Sequence, residues 1–211
     1  MVTILSLAFI DANIIADWII FSEYLKVKNK EDIPNIIKEK KDQNPRLHNS
    51  YEFMEAVASK NMHNVTFAIS PLCVVEVNAA LLKKIIYDLM YQRGIPFEDY
   101  PSYKNAVKIK ESEIEVFNSA KHYLEKLNEN VTICYSTEET SKNITKTAIE
   151  LIVRMRTRSH DAILLGEACS MKAEYFITND KHLIRQTRDA KFDEVKLVNP
   201  RNFYLIRRNV K

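Results

Sequence analysis

The chain has 211 residues, 46% hydrophobic and 28% charged, with a formal net charge of +3. These are ordinary proportions for a globular fold, and the length fits one domain carrying insertions. They exclude collagen-like, disordered and disulfide-scaffold classes, and the small positive surplus permits a polyanionic partner without requiring one.

Only two glycines occur, Gly94 and Gly166, so no P-loop, G-x-G-x-x-G or G-x-S-x-G can be written. The three cysteines, Cys73, Cys134 and Cys169, are widely spaced in apolar company and read as reduced core residues, which fits a cytoplasmic setting. The apolar start, Met1 to Ile10, lacks a basic flank and runs into Asp11 and Asp17. Each of these would cost roughly 2.5 to 3.5 kcal/mol at a membrane centre, so neither a signal peptide nor a membrane span is expected.

Ile4 to Ile10 is a short apolar run closed by Asp11, as in a strand buried on both faces of a parallel sheet. Ala12 to Val27 follows with helical spacing of Ile14, Ile15, Trp18, Ile19, Phe21 and Leu25. The charged stretch from about 26 to 60 reads as a helical insertion broken at Pro34 and Pro45, ending in a short helix over Tyr51 to Met62. Val65 to Ile69 is a second strand, and Ser70-Pro71 supplies the N-cap and first residue of a helix reaching Gln92. A second insertion spans about 93 to 127, with a loop at Gly94, Pro96 and Pro101 and one long helix over Tyr103 to Leu127. Val131 to Tyr135 is a strand, Thr140 to Met155 a helix, and Ser159 caps a helix over His160 to Met171. Tyr175 to Thr178 and Val195 to Val198 complete four or five strands. Strands alternating with helices specify an α/β fold with a mainly parallel sheet, here a single domain over 1 to 211.

In such sheets ligands bind at the carboxyl ends of the strands. Asp11 ends the first strand, Asp180 follows the fourth, Asp161 sits in a first helical turn and Glu76 lies early in the Ser70-Pro71 helix. Each alone has an ordinary reading. Asp11 and Asp180 suit helix caps and Asp161 suits a helix dipole, while Glu76 interrupts an apolar run where an unpaired carboxylate is costly. Together they bring four like charges to one edge, which a hard divalent cation would neutralise. One or two Mg²⁺ or Mn²⁺ ions there would activate a water toward a phosphodiester. Arg154, Arg156 and Arg158, with Lys181, would put positive charge beside the acids for a nucleic-acid backbone. Arg185 and Arg188 extend that charge, while Arg207 and Arg208 read as a solvated tail. Tyr87, Tyr91, Tyr100 and Tyr103 suit core packing, an interface or base stacking.

The stretches FIDANII (Phe9 to Ile15), SPLCVVEV (Ser70 to Val77), SHDAILLGEA (Ser159 to Ala168) and FITNDKHL (Phe176 to Leu183) resemble, in order, the acidic motifs of the PIN-domain ribonucleases. That family includes the VapC-like toxins of prokaryotic toxin–antitoxin pairs. The resemblance implies a PIN-like three-layer fold and metal-dependent RNA hydrolysis. It makes Asp11, Glu76, Asp161 and Asp180 the metal-binding acids, with Asn13 and Thr178 supporting them. It also implies an antitoxin-type protein partner, while the apolar helical face of Leu81, Leu82, Ile85, Ile86 and Leu89 suits core packing or a homodimer. The two insertions depart from compact toxin-like members, and His182 stands where some members carry a further acid. Two other readings are a PIN-like scaffold that binds RNA or protein without cutting, and an aspartate-nucleophile phosphatase. Asn13 stands where the phosphatase needs a second Asp, and clustered acids facing a polyanion suit a metal site better than a scaffold.

Overall fold

The computed structural model describes residues 6–62, 64–108 and 115–208. Five parallel strands, β1 (Ser6–Ile10), β2 (Val65–Ile69), β3 (Val131–Ile133), β4 (Tyr175–Ile177) and β5 (Lys196–Val198), form one sheet in the order β3-β2-β1-β4-β5. The expected Ile4 and Leu5 at the head of the first strand lie outside the described residues.

The register places bulky side chains alternately on the two faces. Ala8 pairs with Phe67 and Tyr175, whereas Phe9 pairs with Ala68 and Phe176. Neighbouring strand residues point to opposite faces, so Phe67 and Tyr175 share one side and the stacked Phe9 and Phe176 rings, 5.7 Å apart, share the other. All six are buried, as a parallel sheet covered on both faces requires.

On the Phe67 side lie α1 (Ala12–Lys26), α3 (Pro45–Ala58), α4 (Pro71–Gln92), α6 (Glu115–Leu127) and α10 (Pro200–Arg208), packed on one another. Phe53 of α3 and Phe203 of α10 meet Phe67 edge to face, and Tyr175 meets Phe203 likewise. The first insertion also carries α2 (Ile33–Gln43). α7 (Glu138–Met155) and α8 (Ser159–Ser170) form a closely packed pair, and α9 (Lys181–Asp189) sits between β4 and β5 in the chain. Among the described residues no helix is long and apolar enough to cross a membrane.

Several local expectations change. Pro45 opens a helix instead of breaking one. Asn44, its N-cap, accepts from the Leu47 N–H at 3.2 Å, and the fixed φ of proline suits the first turn. The α3 half of the insertion is therefore part of the core, with Phe53 and Met54 fully buried, whereas α2 buries no residue. The single helix expected over Tyr103 to Leu127 is not formed. A short helix α5 (Tyr100–Tyr103) ends where Ala106 N–H turns back to the Tyr103 carbonyl, residues 109–114 lie outside the description, and α6 begins at Glu115. Buried Tyr100, packed between Tyr87 and Phe97, anchors that turn, while Tyr91 and Tyr103 are exposed. Ser159 is the first residue of α8 and not its cap. Arg158 holds the extended N-cap backbone, and its carbonyl accepts from Ala162 N–H at 2.9 Å. Arg207 is no free tail residue, for its guanidinium lies over the Tyr175 and Phe203 rings and 3.8 Å from Glu174. The Arg208 side chain lies outside the description.

The α7–α8 pair depends on Gly166. A Cβ there would meet the Ile144 carbonyl oxygen at 2.9 Å, so a backbone must shift. Gly166→Ala would ordinarily gain about 0.5 to 1 kcal/mol of helix propensity. Here a net loss of about 1 to 3 kcal/mol is expected from the forced separation, read as a lower urea midpoint.

Candidate functional site

The chain order reverses at the middle of the sheet. After β1 it moves to β2 and β3, then returns to β4 and β5 on the other side of β1. The cleft beyond the carboxyl ends of β1 and β4 is thus the topological switch point, where open α/β sheets bind ligands.

Asp11 and the Thr178–Asp180 turn stand at this point, immediately after β1 and β4. Asp11 N-caps α1, and the backbone N–H and side-chain amide of Asn13 reach its two oxygens at 3.4 and 3.5 Å. The Thr178 hydroxyl, fully buried, donates to Asp11 Oδ2 at 2.5 Å and accepts from the Asp180 N–H at 3.0 Å. One hydroxyl therefore fixes the first acid and the turn carrying the last. Asp180 N-caps α9, accepting from the His182 and Leu183 N–H groups at 2.8 and 2.9 Å. It is a helix cap and a rim acid at once.

Glu76 reaches the same region from α4, which starts with Ser70 accepting the Cys73 N–H at 3.2 Å. Asp161 comes from the first turn of α8, with His160 Nε2 3.3 Å from its Oδ1. Burial pushes the carboxyl of Asp11 above its ordinary range, hydrogen bonds from Thr178 and Asn13 pull it back, and the charge of Asp161 raises it further. Burial also raises Asp161, opposed by His160, Arg158 and His182 and reinforced by Asp180. Glu76 is raised by burial and by Asp11, Asp161 and Glu167, with His160 opposing. Asp11, Glu76 and Asp161 thus act on one another, and Asp180 joins them through Asp161.

Two features of this region are not evident from the sequence motifs alone. Glu167, also raised by burial, is held by Ser70 at the start of α4 and adds its charge to Glu76. It interrupts the apolar residues of α8 as Glu76 interrupts those of α4, the one signal in the sequence that could have found it. Asn179, between Thr178 and Asp180, binds Ser50 and Asp17 instead of the acids.

The predicted basic residues divide. Arg158 lies close enough for its charge to stabilise ionised Asp161. Arg156 ends α7 in the left-handed region at φ 54, and Arg154 lines a small cleft with Glu150, Phe192 and Glu194. Lys181 is exposed in the first turn of α9. The three cysteines are free, with Cys73 buried near Asp11 and Glu76.

Among the described residues no group of three or more His, Cys, Asp and Glu side chains gathers closely enough to hold a metal ion. A closed, all-protein cage therefore does not fit. Carboxylates that act on one another at the strand ends, as Asp11, Glu76 and Asp161 do, suit a hydrated Mg²⁺ or Mn²⁺, which keeps several waters and takes one or two carboxylates directly. The fit rests on hard oxygen donors and unneutralised charge.

No protein-family model matches the chain, and no curated protein matches it. Among solved structures it is similar to the crystal structure of VapBC2 from Rickettsia felis bound to a DNA fragment from their promoter. The identity is 13%, the match covers 92% of this chain and 98% of that one, and the TM-score is 0.47.

Proposed function

We propose that the chain is a metal-dependent endoribonuclease, in which Asp11, Glu76, Asp161 and Asp180 take one or two Mg²⁺ or Mn²⁺ ions beside an RNA phosphodiester. The observation that supports this most is that four acids from four separate stretches of chain face the sheet's switch point, with Asp11, Glu76 and Asp161 close enough for their charges to act on one another and Asp180 adding its charge to Asp161. A bound ion supplies neutralising charge and a polarised water for in-line attack on phosphorus.

The chain's own residues supply position and field. Thr178 and Asn13 orient Asp11, and Thr178 also fixes the backbone of Asp180. Arg158 offsets the acids on the α8 side and favours approach of a polyanion there. Lys181, with Arg156 and Arg154 further out, extends the positive surface for the RNA backbone. The reading carries self-association, through the apolar face of α4, and an antitoxin-type protein partner, by the family resemblance, as further proposals. Light scattering on the purified chain tests the first.

Thr178→Val keeps the side-chain shape and removes the hydroxyl. A 10- to 100-fold fall in cleavage rate is expected, of the order seen when groups supporting metal ligands are lost. A stability loss of about 1 to 3 kcal/mol should accompany it, because the buried Asp11 carboxylate loses its donor and the half-buried N–H of Asp180 its acceptor. Single-turnover cleavage and urea unfolding read the two effects separately.

The function itself is tested by incubating the purified chain with a mixed set of labelled RNAs in EDTA, Mg²⁺ or Mn²⁺. Cleavage confined to the metal-containing reactions is expected. Tight RNA binding without cleavage under any of the three conditions would replace the nuclease by a binding scaffold.

A further inference from the structure

Asp17 belongs to none of the acidic motifs, yet three side chains from two other elements, α3 and the turn after β4, converge on it. Its Oδ2 accepts from Arg46 Nε at 3.1 Å, Ser50 Oγ at 3.2 Å and Asn179 Nδ2 at 3.4 Å. Asn179 Nδ2 also donates to Ser50 Oγ at 2.7 Å. Ser50 is fully buried, the Asp17 side chain is 17% exposed and that of Arg46 is 56% exposed.

An ordinary exposed ion pair contributes about 0 to 1 kcal/mol and calls for no buried scaffold. Here a desolvated carboxylate on α1, otherwise a largely apolar helix, holds Arg46 by its Nε. The terminal guanidinium nitrogens make no hydrogen bond among the described residues. The other end of the network is Asn179, inside the Thr178–Asp180 turn that fixes Asp11 and Asp180. The guanidinium is therefore tied, through Asp17 and Asn179, to the turn that carries Asp180. A guanidinium fork with two free nitrogens matches two oxygens of a phosphate, which an ammonium does not. Arg158 serves the α8 side of the acids, and Arg46 is the cation tied to the same turn from the α3 side.

Resting on the ribonuclease reading, we propose that Arg46 is a substrate-phosphate anchor. Held by Asp17, Ser50 and Asn179, it grips an RNA phosphate flanking the one that is cut. The first insertion then has a role at the site, since its helix α3 delivers both Arg46 and Ser50.

The test measures binding of a labelled single-stranded RNA in EDTA, with Asp161→Asn as the uncutting parent. Adding Arg46→Gln should weaken binding about tenfold at low salt, alike for unrelated sequences, and lower the slope of log Kd against log salt by about 0.7. Adding Asp17→Asn instead, which frees the guanidinium but keeps its charge, should weaken binding less and leave the slope in place. Affinity and slope unmoved by Arg46→Gln would overturn the anchor while leaving the RNA reading intact. A parent that binds no RNA would overturn both.

Discussion

Asp161→Asn should abolish metal-dependent RNA cleavage, by about 10³-fold or more, while leaving a folded chain that unfolds no earlier than wild type without metal. The side chain lies among acids whose charges already raise one another, so removing one negative charge relieves repulsion on Asp11 and Glu76. Asparagine keeps the size and one oxygen. Thermal melts in EDTA set the stability outcome, and a melting point well below wild type would make Asp161 a structural carboxylate.

The same reasoning gives the pH dependence its sign. Asp11, Glu76 and Asp161 have folded-state pKa values above the ordinary 3.8 and 4.5, so the folded chain holds more protons than the unfolded one in the window above those values. Stability without metal therefore rises as pH is lowered from neutral through that window and levels off below it, where both states are protonated. Glu174, lowered by Ser6 and Arg207, contributes in the opposite direction. In Asp161→Asn the rise should be smaller.

Trp18→Ala carries the largest expected stability effect, a loss of about 3 to 5 kcal/mol. Trp18 is fully buried on α1, its Nε1 donates to Glu55 of α3 at 2.7 Å, and its ring meets Tyr123 of α6 edge to face at 4.9 Å. One side chain thus joins the first helix to both insertions. A domain's whole stability is only about 5 to 15 kcal/mol, so the variant should be partly unfolded near 37 °C. Trp18→Phe should cost less, losing the hydrogen bond and part of the ring contact. A loss under about 1 kcal/mol for Trp18→Ala would mean that the insertions pack independently of α1.

The residues that position the site were the most readable in sequence. β2 and α4 lie where the apolar run and Ser70-Pro71 put them, because a cap and a proline leave little freedom at a helix start. Asp11 and the turn after β4 were legible for a similar reason, each being a polar stop after a short buried strand. The insertions were not. Pro45 reads as a break until Asn44 is seen to cap the helix it opens. The apolar spacing around Tyr103 carries no mark of the turn that the Tyr87, Phe97 and Tyr100 cluster imposes. Arg46, Ser50 and Asp17 form a network only after folding, since their contacts join α1, α3 and the turn after β4, and no local pattern records that meeting. Asp17 in an apolar helix was the one visible sign.

If the four acids work as one site, the rate of Mn²⁺-dependent RNA cleavage should show it in Asp11→Asn, Glu76→Gln, Asp161→Asn and Asp180→Asn, beside the Asp11→Asn/Asp161→Asn double variant. Each single variant should lose about 10³-fold or more, and the double should be no worse than the singles, as for groups that act together. Wild-type cleavage in any one of the four, or cleavage that persists in EDTA, would contradict a shared metal-dependent site.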